Sequence, residues 1–266
     1  MQEAIDISAL KGVVAGMTCD RFSDEGWVRT SVYAPSEMQL TIYINQQELV
    51  SILCTPTKLN CLALGFLYTE GIISGIGDVA GMRVCEDDSL VDVRMSNPEY
   101  KLPTLKRTLT SGCGGGSIFK TQGQKVASGL IVTPTEVLAL MKKLQGQMQL
   151  FRLSGGVHTS ALSDTSNLLV VAEDIGRHNT FDKIQGECLL RKLSTRDRLV
   201  LTTGRVSSEM LLKAAGMQVP VVATRHSPTE RAILLARDLG IALVGYAHGN
   251  SLSVYSHPER LGWSTN

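Results

Sequence analysis

The chain predicts two unlike units, a small N-terminal α+β domain followed by a larger layered α/β domain with a mostly parallel sheet. Three observations carry this expectation. Residues 27 to 54 alternate apolar and polar side chains as half-buried strands do. Beyond residue 125, apolar strands of about five residues alternate with helical patterns, the mark of a sheet covered by helices. Between the two, Gly112-Cys113-Gly114-Gly115-Gly116 dissolves all periodicity, because glycines lose the most backbone entropy on ordering. The expected division is 1–110, a cysteine-bearing linker at 111–124, and 125–266.

The elements follow in order. Trp27 to Tyr33 and Met38 to Ile44 read as strands separated by Ala34-Pro35-Ser36, and Gln46-Gln47 turns the chain into Leu49 to Leu53. Thr57 to Thr69 has helical spacing with Gly71 as its stop, and short strands follow at Met82 to Cys85 and Leu90 to Met95. In the second half, Pro134 to Leu144 is a helix capped by Thr133 with Glu136 at the third helical position. Strands are then predicted at Leu168 to Ala172, Leu199 to Thr203, Val219 to Ala223 and Ile241 to Tyr246. Helices are predicted at Asn179 to Leu193, Ser207 to Ala215 and Pro228 to Leu239.

Composition narrows the function. With 43% apolar and 19% charged residues the chain is globular, and a net charge of +1 provides no global field for nucleic acid or an anionic membrane. No run approaches the roughly 18 apolar residues of a membrane span, and the N-terminus, with Glu3 and Asp6, does not resemble a signal peptide, so a cytoplasmic protein is expected. Six cysteines without a C-x-x-C pair argue against a disulfide framework; Cys54, Cys61, Cys85 and Cys188 are expected as small buried hydrophobes.

Chemistry is expected where strands end, since open α/β sheets bind ligands beyond their carboxyl edges. Four successive strand ends carry Glu173 to Asn179 (with Asp174, Arg177 and His178), Gly204 to Glu209 (with Arg205), Thr224 to Pro228, and Ala247 to Ser251. Phe151 to His158 is expected to join them as a loop. Arginine forks, helix N-termini and glycines suit an anion or nucleotide, although each segment alone would read as solvated loop and helix cap. Cys113 lies in the glycine-rich linker, where a thiol could reach a partner, and Lys106, Arg107 and Lys120 are near in sequence. No metal site is expected: His257-Pro258-Glu259 matches half of a zinc-deaminase signature, but the C-x-x-C half is missing.

Several of these segments together resemble the FdhD/NarQ family of formate dehydrogenase accessory proteins. The motifs are Glu173-Asp174-Ile175-Gly176-Arg177-His178-Asn179 running to Asp182-Lys183, Phe151-Arg152 with Gly155-Gly156-Val157-His158, and Thr203-Gly204-Arg205-Val206-Ser207. Leu64 to Ile73 and Val254 to Leu261 also match, so the resemblance covers roughly residues 35 to 262 with order and spacing kept.

The resemblance implies a cytidine-deaminase-like three-layer fold for the second domain, and a homodimer. It implies sulfur transfer, in which a cysteine desulfurase supplies a persulfide that passes to a molybdenum bis(molybdopterin guanine dinucleotide) cofactor before insertion into formate dehydrogenase. That cofactor would be bound cargo, with GDP-like nucleotides as partial mimics near Gly249 and Arg205. By position, Cys113 matches the persulfide cysteine, and Tyr246-Ala247-His248-Gly249-Asn250-Ser251 matches the cofactor-binding stretch; Asp174, Arg177, His178 and Arg205 are added from strand-end placement. One departure stands out: Gly116 occupies the place of the family's usual second loop cysteine. It keeps open a delivery scaffold that binds cofactor without carrying sulfur. A nucleotide-modifying enzyme on the same fold is the other alternative.

Overall fold

Apolar alternation decides the layers of the larger unit. In the computed structural model, which describes residues 11–102 and 124–264, a six-stranded sheet has the order β12(Ser251–Ser256), β11(Ala242–His248), β10(Val221–Thr224), β9(Leu199–Thr202), β7(His158–Ser163), β8(Leu168–Asp174). Val200, Val222 and Leu243 face one way, packing on Phe181 and Ile184 of α4(Arg177–Arg191), Met210 and Leu211 of α5(Ser208–Gly216), and Ala232 and Ala236 of α6(Glu230–Leu239). Their neighbours Leu201, Ala223 and Val244 face the other way, onto Val137, Leu140 and Leu144 of α2(Pro134–Gln147). A strand buried on both faces needs helices on both. The result is three layers.

The expectation of a mostly parallel sheet needs correction. Only β9–β10 and β10–β11 pair in parallel, while β11–β12, β7–β9 and β7–β8 are antiparallel. Two strands absent from the sequence-based list cause this: β7, which starts at the last residue of the stretch read as loop, and β12, directly after β11. Both are chain reversals. Because β7 runs against both β8 and β9, however, β8 still points the same way as β9, β10 and β11, so those four carboxyl ends share one edge.

The N-terminal unit is a four-stranded sheet of order β4(Gln47–Cys54), β3(Met38–Ile44), β6(Leu90–Met95), β5(Val79–Cys85), with α1(Leu59–Thr69) packed on it through Leu62, Phe66 and Leu67. The hairpin turns at Asn45 and Gln46, both left-handed (φ 49° and 67°), one residue earlier than expected. Before it, β1(Val13–Ser23) and β2(Gly26–Pro35) form a separate two-stranded ribbon, of which only β2 was anticipated. Helix α1 begins at Leu59 rather than Thr57 because Lys58 is left-handed (φ 51°) and spends its ammonium on Glu187 and the Val171 carbonyl. At the end of β5, Cys85 is only half-buried and its thiol donates to Asp88 at 2.9 Å, unlike Cys54, Cys61 and Cys188, which are buried as expected. Cys113 and the linker up to Gly123 lie outside the described residues.

Helices α1 and α4 join the two units at a close crossing. A Cβ on Gly65 would fall 1.7 Å from the Asp182 carbonyl oxygen, and one on Gly186 would fall 1.9 Å from that of Cys61. Backbone meets backbone there. Beside the crossing, Lys213 donates to the Asp182 carboxylate at 2.7 Å and stands 3.7 Å from Glu70, while Thr69 donates to Asp182 at 2.6 Å. Burial alone would pull the Lys213 ammonium down, but Asp182, Glu70 and Glu209 outweigh it and hold its pKa above the ordinary lysine value.

Candidate functional site

At the shared edge the strand ends surround an open cavity of about 710 Å³. Its floor comes from His158, the first residue of β7, and from Thr203, just past β9; one wall comes from Arg225 and His226 after β10, and another from Tyr246 and His248 at the end of β11. The remaining wall is Met148, Phe151, Gly155, Gly156 and Val157, around α3(Gln149–Ser154), a short helix that runs into the Phe151 to His158 stretch expected as loop.

Local chemistry holds each group in place. The Thr159 amide donates to the Thr203 hydroxyl at 3.0 Å, and the Thr224 hydroxyl donates to the Gly204 carbonyl at 2.6 Å while accepting from the His226 amide at 3.1 Å. Gly204 lets Arg177 pack close: a Cβ there would stand 3.0 Å from Arg177 Cβ, tighter than most real Cβ contacts, and in ordinary contact with His158 Nδ1 at 3.4 Å. Tyr246 is left-handed (φ 52°) where the register of β11 and β12 slips, and its amide donates to the His226 carbonyl at 3.1 Å. An aromatic residue in that conformation costs of the order of 1–2 kcal/mol, and here the bulge turns a half-exposed ring toward the cavity.

The charge is one-sided. His158 is kept below the ordinary histidine pKa, first by burial and then by Arg177 and His226. With Arg225 and His248 beside it, the cavity offers cationic and imidazole donors next to two aromatic rings, Phe151 and Tyr246. That combination suits an anionic ligand carrying a flat ring. Among the described residues no group of three or more His, Cys, Asp or Glu side chains could hold a metal ion.

Of the residues proposed from sequence, Tyr246 and His248 line the cavity. Arg177 stands behind it, against His158 and Gly204. Ala247 faces the core on the α2 side, and Gly249, Asn250 and Ser251 are exposed where β11 turns into β12. Arg205 is exposed and does not line the cavity. His178 clips α4 to α5, 3.2 Å from Glu209 and 3.3 Å from the Ser207 hydroxyl. Asp174 is fully buried in an ion pair with Lys183 at 2.6 Å and accepts the Thr55 amide at 3.1 Å, so it ties the two units together rather than meeting a ligand. His257 and Glu259 bond each other at 2.8 Å, with the other ring nitrogen on the Arg237 carbonyl, which makes that pair a surface strap. Arg225 and His226 were in a strand-end segment, and His158 closed the Phe151 to His158 stretch expected to join that edge, but none was among the chosen site residues; that placement was the available signal.

Comparison with known proteins agrees with the motifs. The model of the FdhD/NarQ family matches residues 35–262. A sulfur carrier protein FdhD of Bacillus subtilis (strain 168) is 40% identical, covering 85% of this chain and 89% of its own length. One from Bacillus licheniformis is 36% identical, covering 96% and 99%. The fold is that of a Desulfotalea psychrophila crystal structure described as a formate dehydrogenase accessory protein, with TM-score 0.79 at 23% identity over 94% of this chain and 99% of the other. With three of its motifs meeting at one sheet edge and its relatives aligned over most of their length, the chain belongs to the FdhD/NarQ family.

Proposed function

We propose that this chain is a sulfur carrier serving formate dehydrogenase, taking sulfur from a cysteine desulfurase on Cys113 and delivering it to a molybdenum bis(molybdopterin guanine dinucleotide) cofactor held at the strand-end cavity. The observation that carries the binding half is the cavity itself, where Arg225, His226 and His248 stand beside Phe151 and Tyr246. Guanidinium and imidazole donors fit a diphosphate, and the rings fit a base or pterin. Relatives bearing the sulfur-carrier name support the other half. The reading includes a homodimer and a deaminase-like ancestry for the three-layer domain.

Loading conserves atoms simply: the Cys113 thiolate attacks the terminal sulfur of the donor persulfide, forming a new S–S bond and releasing the donor thiolate. Releasing that sulfur as sulfide takes two electrons, which a second thiol supplies by forming a disulfide with Cys113. Gly116 removes the nearest such thiol from the loop, so release depends on the acceptor or an external thiol.

The test is intact-mass spectrometry after incubation with a cysteine desulfurase and cysteine. A gain of one sulfur atom in the wild type, absent in Cys113→Ser, is expected. No gain in folded wild-type protein with an active desulfurase would favour the delivery scaffold, for which the missing second cysteine is the specific support.

A further inference from the structure

We infer that Glu173 is a positioning residue for the cavity, holding the α3 wall in place from a neighbouring strand; this rests on the reading of the cavity as a nucleotide-diphosphate site. Helix α3 has six residues and no side-chain cap of its own, since its N-cap is Met148. A helix that short does not hold itself together in water. Its first amides are instead taken up from outside: Leu150 N donates to Glu173 Oε2 at 2.9 Å and Phe151 N to Glu173 Oε1 at 3.1 Å. The Thr159 hydroxyl donates to Oε1 at 3.1 Å, which fixes the carboxylate's orientation, and Lys183 donates to the Glu173 carbonyl at 3.3 Å. A carboxylate at a helix N-terminus also faces the positive end of the peptide dipoles.

What this cap holds is the ligand wall. Met148 precedes α3, Phe151 lies within it, and Gly155, left-handed at φ 68°, ends it; all three line the cavity. Glu173 itself does not line it. The carboxylate therefore acts on a ligand only through α3, setting where Phe151 stands in the cavity wall.

The experiment is GDP titration by calorimetry on the full chain, comparing wild type, Glu173→Ala and Glu173→Gln, with amide hydrogen exchange of Leu150 and Phe151. Loss of a helix cap lowers the population of the ordered wall, so Glu173→Ala is expected to weaken GDP roughly tenfold. Both amides should exchange faster in that variant. Glu173→Gln keeps one carbonyl acceptor and should recover part of the affinity, and it carries the test if the alanine variant does not fold. GDP affinity unchanged in Glu173→Ala, with a lowered thermal midpoint, would make the residue merely structural and overturn the inference. Absence of GDP binding by the wild type would instead remove the nucleotide reading on which it stands.

Discussion

Replacing Gly65 by alanine sets two physical effects of opposite sign against each other. Alanine is worth about 1 kcal/mol over glycine in a helix interior, so α1 considered alone would gain stability. The structure says otherwise. The new Cβ would lie 1.7 Å from the Asp182 carbonyl oxygen, whereas real Cβ contacts essentially never fall below 3.0 Å, so the α4 backbone must retreat by at least about 1.3 Å. Overpacking of this kind costs about 1–3 kcal/mol where side chains give way, and more where the obstacle is backbone. The retreat also disturbs the contacts of Asp182 with Lys213 and Thr69, which adds to the loss. A net loss of about 3 kcal/mol or more follows. With a urea slope of about 3 kcal/mol per molar, the unfolding midpoint should fall by about 1 M. Gly146 of α2 supplies the control: a Cβ there meets nothing within 4 Å, so Gly146→Ala should leave the midpoint unchanged or raise it slightly. A Gly65→Ala midpoint at or above wild type would refute the close crossing of α1 and α4.

Other outcomes follow from the same geometry. Lys213→Met leaves the Asp182 carboxylate buried without its cation and should cost about 3–5 kcal/mol in urea unfolding. Because the Lys213 pKa is raised in the fold, its contribution is fully present at neutral pH and is lost only as pH rises above about 10.4, through the folded value. His158 has the opposite sign: its depressed pKa makes the unfolded chain the better proton binder, so stability falls as pH drops below about 6.5. A bound diphosphate would reverse that preference, so GDP affinity measured by calorimetry should rise from pH 8 to pH 6, and His158→Gln should flatten the slope. Burial pushes the Cys54 and Cys188 thiols up to about 12, so iodoacetamide at pH 8 should spare both in the native protein while labelling exposed Cys19 and, on the sulfur-carrier reading, Cys113; peptide mapping checks this.

How much was legible depended on how local the cause was. The Thr133–Glu136 capping box forms as its sequence suggests, with the Glu136 amide on the Thr133 hydroxyl at 3.2 Å and the Glu136 carboxylate on the Thr133 amide at 2.7 Å. Strand β6 begins and ends where its alternation does, and α5 and α6 lie within two residues of their expected bounds. The common edge of β8, β9, β10 and β11 was also readable, because each strand's direction follows from the helix that leads to the next.

Strand β7 was not readable, because His158 to Ser163 is buried as an inner strand by partners on both sides, β9 and β8, that lie later in the chain. Helix α3 escaped for a related reason, since its cap comes from Glu173, some twenty positions away. Asp174 shows the limit most directly. Its place after a strand makes it a plausible ligand group, and only the approach of Lys183 and Thr55 turns it into an internal tie. By itself the sequence determined the family motifs, the periodic elements and the edge on which chemistry would gather, because these are set by neighbours within a few residues. The tertiary structure alone decided which of those side chains face the cavity and which hold the two units together, because burial and pairing belong to residues that meet only after the chain has folded.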